Sequence, residues 1–311
     1  MGSDPISPVV EVAAAVIERA DGAFLLAQSP AGKVYAGRWE FPGGKIEDGE
    51  PAERALAREL HEELGIDARA AYPWITREYA YAHANVRLNF FRVRDWTGDP
   101  HPREGQSIAW QRIDAPMAEP MLPANAPVLA SLALPDEYAV TDAERLGVDY
   151  VLSRLASRLK QGLRLIQVRD KNLADRTGFA NEVVGLARRH GARVLVNGDA
   201  GGTGADGVHF TARQLMALDQ KPHSRLAGTS CHTRAELERA MQLEFDFAVL
   251  GPVKPTASHA GVATLGWEGF AAIARGASIP VYAIGGMRRT DLETAWRAGA
   301  HGVAMISGSW S

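Results

Sequence analysis

The sequence predicts two domains of different kinds: an α+β fold with a mixed sheet, then a compact α/β domain closed as a (β/α)8 barrel. Three observations carry that reading. The 311 residues exceed one ordinary domain, on a prior of ~100–200 residues each, and a seam of four prolines (Pro120, Pro123, Pro127, Pro135) divides the chain. Before the seam, strand-like runs surround one strongly patterned helix. Beyond it, eight short apolar runs alternate with amphipathic stretches, the texture of a parallel sheet closed on itself. The domains are placed at 1–132 and 138–311, joined by a linker at 133–137.

The elements follow in order. Val9–Ile17 and Ala23–Gln28 read as strands around the Ala20-Asp21-Gly22 turn. Pro51–Leu64 reads as a helix, Asn85–Val93 as another strand, and Val128–Leu134 as a short closing helix. The eight later runs are Tyr138–Thr141, Arg164–Val168, Arg193–Val196, Gly207–Phe210, Arg225–Thr229, Phe247–Leu250, Val281–Ile284 and Gly302–Ile306. Amphipathic stretches such as Arg176–Arg189, Arg234–Gln242 and Arg289–Ala298 lie between them. About 175 residues is short against the ~250 typical of such a barrel, so abbreviated helices and no last one are expected.

Composition excludes several classes. A 46% hydrophobic, 23% charged chain is neither disordered nor collagen-like. No apolar run approaches the ~20 residues of a membrane span, and no basic-then-apolar N-terminal segment suggests export. The single cysteine, Cys231, excludes an internal disulfide and suits a reducing cytoplasm, so a cytoplasmic protein without a membrane partner is expected. A net charge of -3 argues against a nucleic-acid-binding surface. Residues 1–134 carry 19 acidic against 13 basic side chains and the remainder 18 against 21. The first part is therefore suited to gathering divalent cations and the second to binding phosphate.

The strongest pattern is Gly43–Ile66, GGKIEDGEPAERALARELHEELGI. Pro51 belongs in the first helical turn, where its missing N–H costs nothing, and Gly65 supplies the stop. Ala52, Leu56, Leu60 and Leu64 form the buried stripe. Glu59, Glu62 and Glu63, spaced i, i+3, i+4, put three carboxylates on one face. Arg58 can answer Glu62, which leaves two like charges uncompensated. Such a local conflict marks a site, and Mg²⁺, which takes a few carboxylates and shares phosphate oxygens, removes it.

These residues resemble the Nudix hydrolase signature without departure, at Gly44, Glu50, Arg58, Glu59, Leu60, Glu62, Glu63, Gly65 and Ile66. The resemblance implies a Nudix α/β/α sandwich over residues 1–132, specifically of the MutT-type 8-oxo-dGTP diphosphatases. Trp39-Glu40-Phe41-Pro42-Gly43-Gly44 leads into the helix as in that subfamily, Glu104-Gly105-Gln106 stands where it keeps a further metal carboxylate, and Leu122-Pro123-Ala124-Asn125 where it keeps a base-reading asparagine. The resemblance implies that Glu59, Glu62, Glu63, Glu104 and the Gly44 carbonyl hold Mg²⁺, with Mn²⁺ as the alternative. Glu59, Glu62 and Glu63 are then catalytic, and Glu40, Phe41, Tyr81 and Asn125 bind a nucleoside triphosphate. An amide at Asn125 can accept from the N7–H of 8-oxoguanine and donate to O6, whereas guanine offers N7 as a bare acceptor. Phe41 and Tyr81 are stacking candidates. The chain departs from the subfamily at Ser29, where a basic residue is expected, and at His83-Ala84, where an acid–base pair is expected.

The second half resembles thiamine phosphate synthases and thiazole tautomerases, which implies a TIM (β/α)8 barrel. The matching segments include Tyr138–Asp142, Leu165–Lys171, Ala205–His209, Gly228–His232, Gly251–Val253 and Ala283–Gly286. Gly285, Gly286 and Ser307 fit a phosphate cradle of backbone amides, and Gln167, Arg169 and Lys171 stand where the synthases bind pyrophosphate. The synthase's magnesium acids are displaced. Gly198 stands at the first position with Asp199 one place late, Gln214 stands at the second, and His259 takes the place of a lysine. Synthase chemistry is therefore not expected. His232 is the catalytic candidate for a tautomerase, and a module that only binds thiazole or thiamine phosphate is the alternative. Cys231 is expected to be an inert packed thiol.

Overall fold

A computed structural model describes residues 9–310 apart from 33, 83, 116, 199, 200, 257–260 and 262. The predicted positions His83, Asp199 and His259 lie outside the described residues. The chain divides into two compact units between Ala133 and Leu134.

In the first unit, Val9–Ile17 (β1) is apolar almost throughout because both of its faces are covered. It pairs in parallel with Asn85–Thr97 (β6) and antiparallel with Gly43–Lys45 (β4). Asp67–Ala80 (β5) completes the mixed sheet at one edge. Phe24–Gln28 (β2), Trp39–Glu40 (β3) and Ser107–Gln111 (β7) form a second small sheet. Alternate β1 residues face opposite ways. Ala13, Ala15 and Ile17 meet Leu56, Leu60 and Leu64 of the helix Ala52–Leu64 (α1). Ala14 and Val16 share a core with Phe41, Phe90 and the helix Ala126–Leu132 (α2). That is the α/β/α sandwich expected, with several elements shifted or missed. Pro51 is the N-cap of α1 and not its first-turn residue: its carbonyl accepts from Arg54 and Ala55 while its own backbone is extended. Ala55, not Ala52, joins the buried stripe. The strand β5 escaped the sequence reading because Pro73 interrupts it, which an edge strand tolerates. The closing helix begins two residues earlier than expected, with Pro127 in its first turn.

One buried ion pair ties this sheet together. Arg92 of β6, 4% exposed, forks onto Glu18 through two contacts of 2.6 Å, and Arg94 adds a third at 3.2 Å. Burial alone would raise the Glu18 carboxyl, but the two guanidinium groups overcome it and hold the group below its ordinary value. A depressed carboxylate stabilises the fold above its unfolded value and loses that contribution as pH falls through the folded one. Arg92→Ala is expected to cost about 3 kcal/mol at neutral pH, because it leaves buried Glu18 with only the longer contacts to Arg94. Urea melts should show that gap narrowing once the medium is acid enough to protonate Glu18.

The second unit is a closed barrel of eight parallel strands, the expected architecture. The strands are Glu137–Val140 (β8), Leu165–Val168 (β9), Arg193–Asn197 (β10), Gly207–Phe210 (β11), Ala227–Cys231 (β12), Phe247–Leu250 (β13), Val281–Ile284 (β14) and Gly302–Met305 (β15), with β15 closing onto β8. Tyr138, Leu165, Leu195, Phe247, Val249 and Tyr282 fill the interior. The outer faces of the strands pack on α4 (Val148–Lys160), α5 (Arg176–Arg188), α7 (Arg234–Gln242) and α8 (Gly266–Ala274). The shorter helices are α3 (Ala143–Leu146), α6 (Ala212–Met216) and α9 (Leu292–Arg297). Among the described residues β15 is followed by the 3-10 turn Ser307–Ser309, and Trp310 then packs inward with its indole donating to the Val140 carbonyl. The strand β12 lies two residues later than expected, which places His232 immediately beyond its end. Among the described residues, no helix is long and apolar enough to cross a membrane.

Candidate functional site

Two glycines bring β4 against α1. A Cβ at Gly43, whose φ is +146°, would strike the Ala13 carbonyl of β1, and a Cβ at Gly44 would fall inside the Glu59 carboxyl group. The carboxylate therefore lies against the Gly44 peptide, in space that any side chain would fill. Arg58 then organises the acidic face. Its Nη1 meets Glu59 at 2.7 Å and Glu62 at 3.5 Å, its Nε and Nη2 meet Glu50 at 3.2 and 3.0 Å, and Nη2 also donates to the Lys45 carbonyl at 3.1 Å. The reading that Arg58 answers Glu62 alone is corrected: its planar fork reaches three carboxylates, with Glu50 and Glu59 the closer two. The Arg58 hydrogen bond holds Glu50 below its ordinary value.

Glu104 is delivered by a loop stitched to the end of α1. The Arg103 amide and the Gln106 side chain both donate to the Glu63 carbonyl, at 3.0 and 2.9 Å, and Gln106 Oε1 accepts the Glu104 amide at 2.7 Å. Carbonyls that a helix end leaves unpaired thus become the anchor of the loop. Among the described residues, no three His, Cys, Asp or Glu side chains converge into a cluster able to hold a metal ion. Glu59, Glu62 and Glu63 share one helical face, and Arg58 draws Glu59 and Glu62 toward itself.

The positions predicted to read a base gather around β3. Asn125, 4% exposed at the end of the turn Pro123–Asn125, donates through Nδ2 to the Trp39 carbonyl at 3.3 Å. Glu40 follows Trp39 and accepts from the Ser29 hydroxyl. Tyr81 lies 5.2 Å from Tyr35 and 4.5 Å from Tyr79, ring centre to ring centre. Burial and then the nearby Glu40 charge push the Tyr81 hydroxyl up to about 12. Phe41 packs its ring between Phe24 and Phe90 in the core. Tyr35, a partner of Tyr81, was missed; a lone tyrosine in a Gly-rich loop gives no sequence signal.

In the second unit, a cavity of about 420 Å³ is lined by Gln167, Arg169, Lys171, His232 and Gly285 among the predicted positions. Gly286 and Ser307 directly follow the lining residues Gly285 and Ile306. Gln167 is 4% exposed, and its amide also bonds to Tyr138 and Asn197 inside the barrel. Its neighbours Arg169 and Lys171 lie beyond the end of β9. Gly198 and Gln214 are neighbours in space, since a Cβ on Gly198 would lie 3.8 Å from Gln214 Nε2. The Gln214 side-chain Oε1 accepts from the Thr211 amide in the capping box of α6, at 2.9 Å. The His232 amide donates to Glu236 at 2.5 Å and its Nδ1 lies 3.3 Å from the same oxygen. Glu236 was missed, although Thr233-x-x-Glu236 spells a capping box. Burial pushes the Cys231 thiol up to about 12, as expected of a packed thiol.

Comparison with known proteins separates the same two parts. Residues 8–132 match the family model described as the NUDIX domain, and residues 137–308 the one described as thiamine monophosphate synthase. The chain is 40% identical over 121 residues to the CTP pyrophosphohydrolase of Escherichia coli, covering 39% of this chain and 89% of that protein. It is 38% identical over 124 residues to the 8-oxo-dGTP diphosphatase of Haemophilus influenzae, covering 40% and 91%. Over the barrel it is 31% identical across 180 residues to the thiamine-phosphate synthase of Thioalkalivibrio sulfidiphilus, covering 55% and 85%.

Proposed function

Because the chain belongs to the Nudix hydrolase family over residues 8–132 and to the thiamine monophosphate synthase family over residues 137–308, we propose that its first unit hydrolyses a nucleoside triphosphate, 8-oxo-dGTP before others. The products are the nucleoside monophosphate and pyrophosphate. The observation that carries this reading is the Glu59 carboxylate seated against Gly44 and locked to Arg58. The donor set is that of a hard divalent cation, Mg²⁺ or Mn²⁺: Glu59, Glu62, Glu63, Glu104 and the Gly44 carbonyl would hold it once its charge drew the carboxylates together. A cation bound there supplies charge neutralisation on the phosphate oxygens and a more acidic water. The chain's own residues do the rest. Arg58 keeps Glu59 in place, Gln106 holds the Glu104 loop to α1, and Glu40, Tyr81 and Asn125 receive the base, with Phe41 packed beneath them.

Base choice follows from Asn125, whose Nδ2 is tied to Trp39 while its carbonyl can accept the N7–H of an oxidised purine. An unmet buried acceptor costs ~1–3 kcal/mol. Asn125→Ala should therefore lower the preference for 8-oxo-dGTP over dGTP by about tenfold to a hundredfold. A panel of 8-oxo-dGTP, dGTP, CTP and thiamine pyrophosphate, assayed with Mg²⁺ for released pyrophosphate or phosphate, tests this. A native preference below about tenfold removes the base-reading role, and faster hydrolysis of CTP or of thiamine pyrophosphate reassigns the substrate.

For the second unit we propose a site for a thiazole or thiamine phosphate, with the phosphate at Arg169, Lys171 and the Gly285, Gly286 and Ser307 amides. The Gly198–Gln214 pair offers no carboxylate and speaks against synthase chemistry. The His232–Glu236 pair at the cavity wall favours proton transfer, hence a tautomerase; loss of isomerisation in His232→Asn would support it over a pure binding module.

A further inference from the structure

Inside the barrel, polar side chains join into one buried chain whose two ends both reach the cavity. Asn197 Nδ2 donates to Gln167 Oε1 at 3.2 Å, and Gln167 Nε2 donates to the Tyr138 hydroxyl at 3.0 Å. That hydroxyl lies 3.2 Å from His209 Nδ1, and His209 Nε2 lies 2.9 Å from Ser230 Oγ. Tyr138 is 0% exposed, His209 1% and Asn197 6%. Asn197 and Ser230 line the cavity, and Asn197 Oδ1 is buried with no partner.

Donor counting fixes the direction of the chain. The Tyr138 oxygen already accepts from Gln167, so its own hydrogen must go to His209 Nδ1, the one acceptor within reach. His209 must then carry its proton on Nε2 and donate to Ser230 Oγ. Ser230, which lines the cavity, is left with a hydroxyl hydrogen to give. With the Gln167 amide donating to Tyr138, a proton on His209 Nδ1 would leave the Tyr138 O–H buried and unpaired, at the full cost of desolvation.

We propose that Tyr138 and His209 are positioning residues: by holding His209 as the Nε2–H tautomer they present Ser230 as a hydrogen-bond donor and Asn197 as a hydrogen-bond acceptor to one ligand. The ligand that fits carries an anionic oxygen at the Ser230 end, in a cavity that Lys171 also lines, and an N–H group at the Asn197 end. Burial and the Lys171 charge push the His209 imidazolium down to about 3, so the ring stays neutral and its tautomer persists. The ligand half of the proposal rests on the barrel being a phosphate site; the tautomer half does not.

The experiment uses the full chain with ¹⁵N-labelled histidine. The His209 resonance, identified by its loss in His209→Gln, should show the Nε2–H pattern and no titration between about pH 5 and 8. Tyr138→Phe should mix the two tautomers while the far-UV spectrum persists. An Nδ1–H pattern in the native chain overturns the proposal, because the chain would then run the other way, with both amides turned over. Inorganic phosphate, titrated calorimetrically, supplies the second readout. Ser230→Ala and Tyr138→Phe should weaken its binding by roughly tenfold, the worth of one hydrogen bond to a charged group. His209→Gln, which can still donate toward Ser230, should bind nearly as the native chain does. Equal affinity in all four proteins removes the presenting role. Failure of the native chain to bind phosphate, with the tautomer as expected, removes the phosphate site beneath the ligand half and that half with it.

Discussion

Replacing Glu63 by glutamine, or Glu62 by glutamine, is expected to lower nucleotide hydrolysis by ~10²–10³-fold while leaving the fold intact. Each substitution removes a negative oxygen ligand and keeps the side chain's shape, and several kcal/mol of transition-state charge stabilisation depend on such ligands. The fold does not depend on them. The helix α1 is held by Ala55, Leu56, Leu60 and Leu64, all fully buried, whereas the Glu62 side chain is 57% exposed. Like charges at i, i+3 and i+4 repel, so either variant should melt at the native temperature or slightly above it. The paired readout is turnover under Mg²⁺ titration and a thermal melt. A stable protein with unchanged turnover in both variants removes the metal-site reading. Glu59→Gln is a less clean probe, since it also weakens the 2.7 Å contact with Arg58.

Much of this arrangement was legible because it is written in local periods. The four-residue apolar stripe of α1 and the glutamates on its other face share one 3.6-residue repeat, and the eight barrel strands stand out as β-branched runs between amphipathic helices. What the sequence hid is set by contacts between distant segments. Arg58 has one carboxylate beside it and one four residues on in the chain, but Glu50 reaches it only because the loop after β4 folds back. Glu104 and Gln106 carry no local signal of their own; carbonyls at the end of α1 hold them in place. In the barrel, Asn197, His209 and Ser230 come from three successive strands and Tyr138 from the first, so only closure of the sheet assembles their chain. Gln167 lines the cavity with Arg169 and Lys171, as its spacing suggests, but its partners Tyr138 and Asn197 come from other strands and were not legible.

The adjacent glycines of β4 should separate fold from function within one dipeptide. At Gly43 the obstacle is backbone: a methyl group would meet the Ala13 carbonyl of the central strand, and the φ of +146° is one that only glycine adopts readily. Neither can relax without breaking the β1–β4 pairing, in which Gly43 faces Ala14. Gly43→Ala should therefore cost several kcal/mol, comparable with the larger effects of strained backbone and overpacking, and activity should fall because folded protein is lost. At Gly44 the obstacle is the far end of the Glu59 side chain. That carboxylate can swing aside at little cost in stability, but in doing so it leaves both the Gly44 peptide and the Arg58 fork. Gly44→Ala should then retain a near-native denaturation midpoint and lose activity by ~10²-fold or more, since misplacing a catalytic group by about an ångström is enough for that. Measured side by side, the Gly43 variant should track its folded fraction and the Gly44 variant should not. If Gly44→Ala kept both its stability and its turnover, the Glu59 carboxylate would have no need of the place it occupies, and the catalytic face of α1 would have to be sought elsewhere.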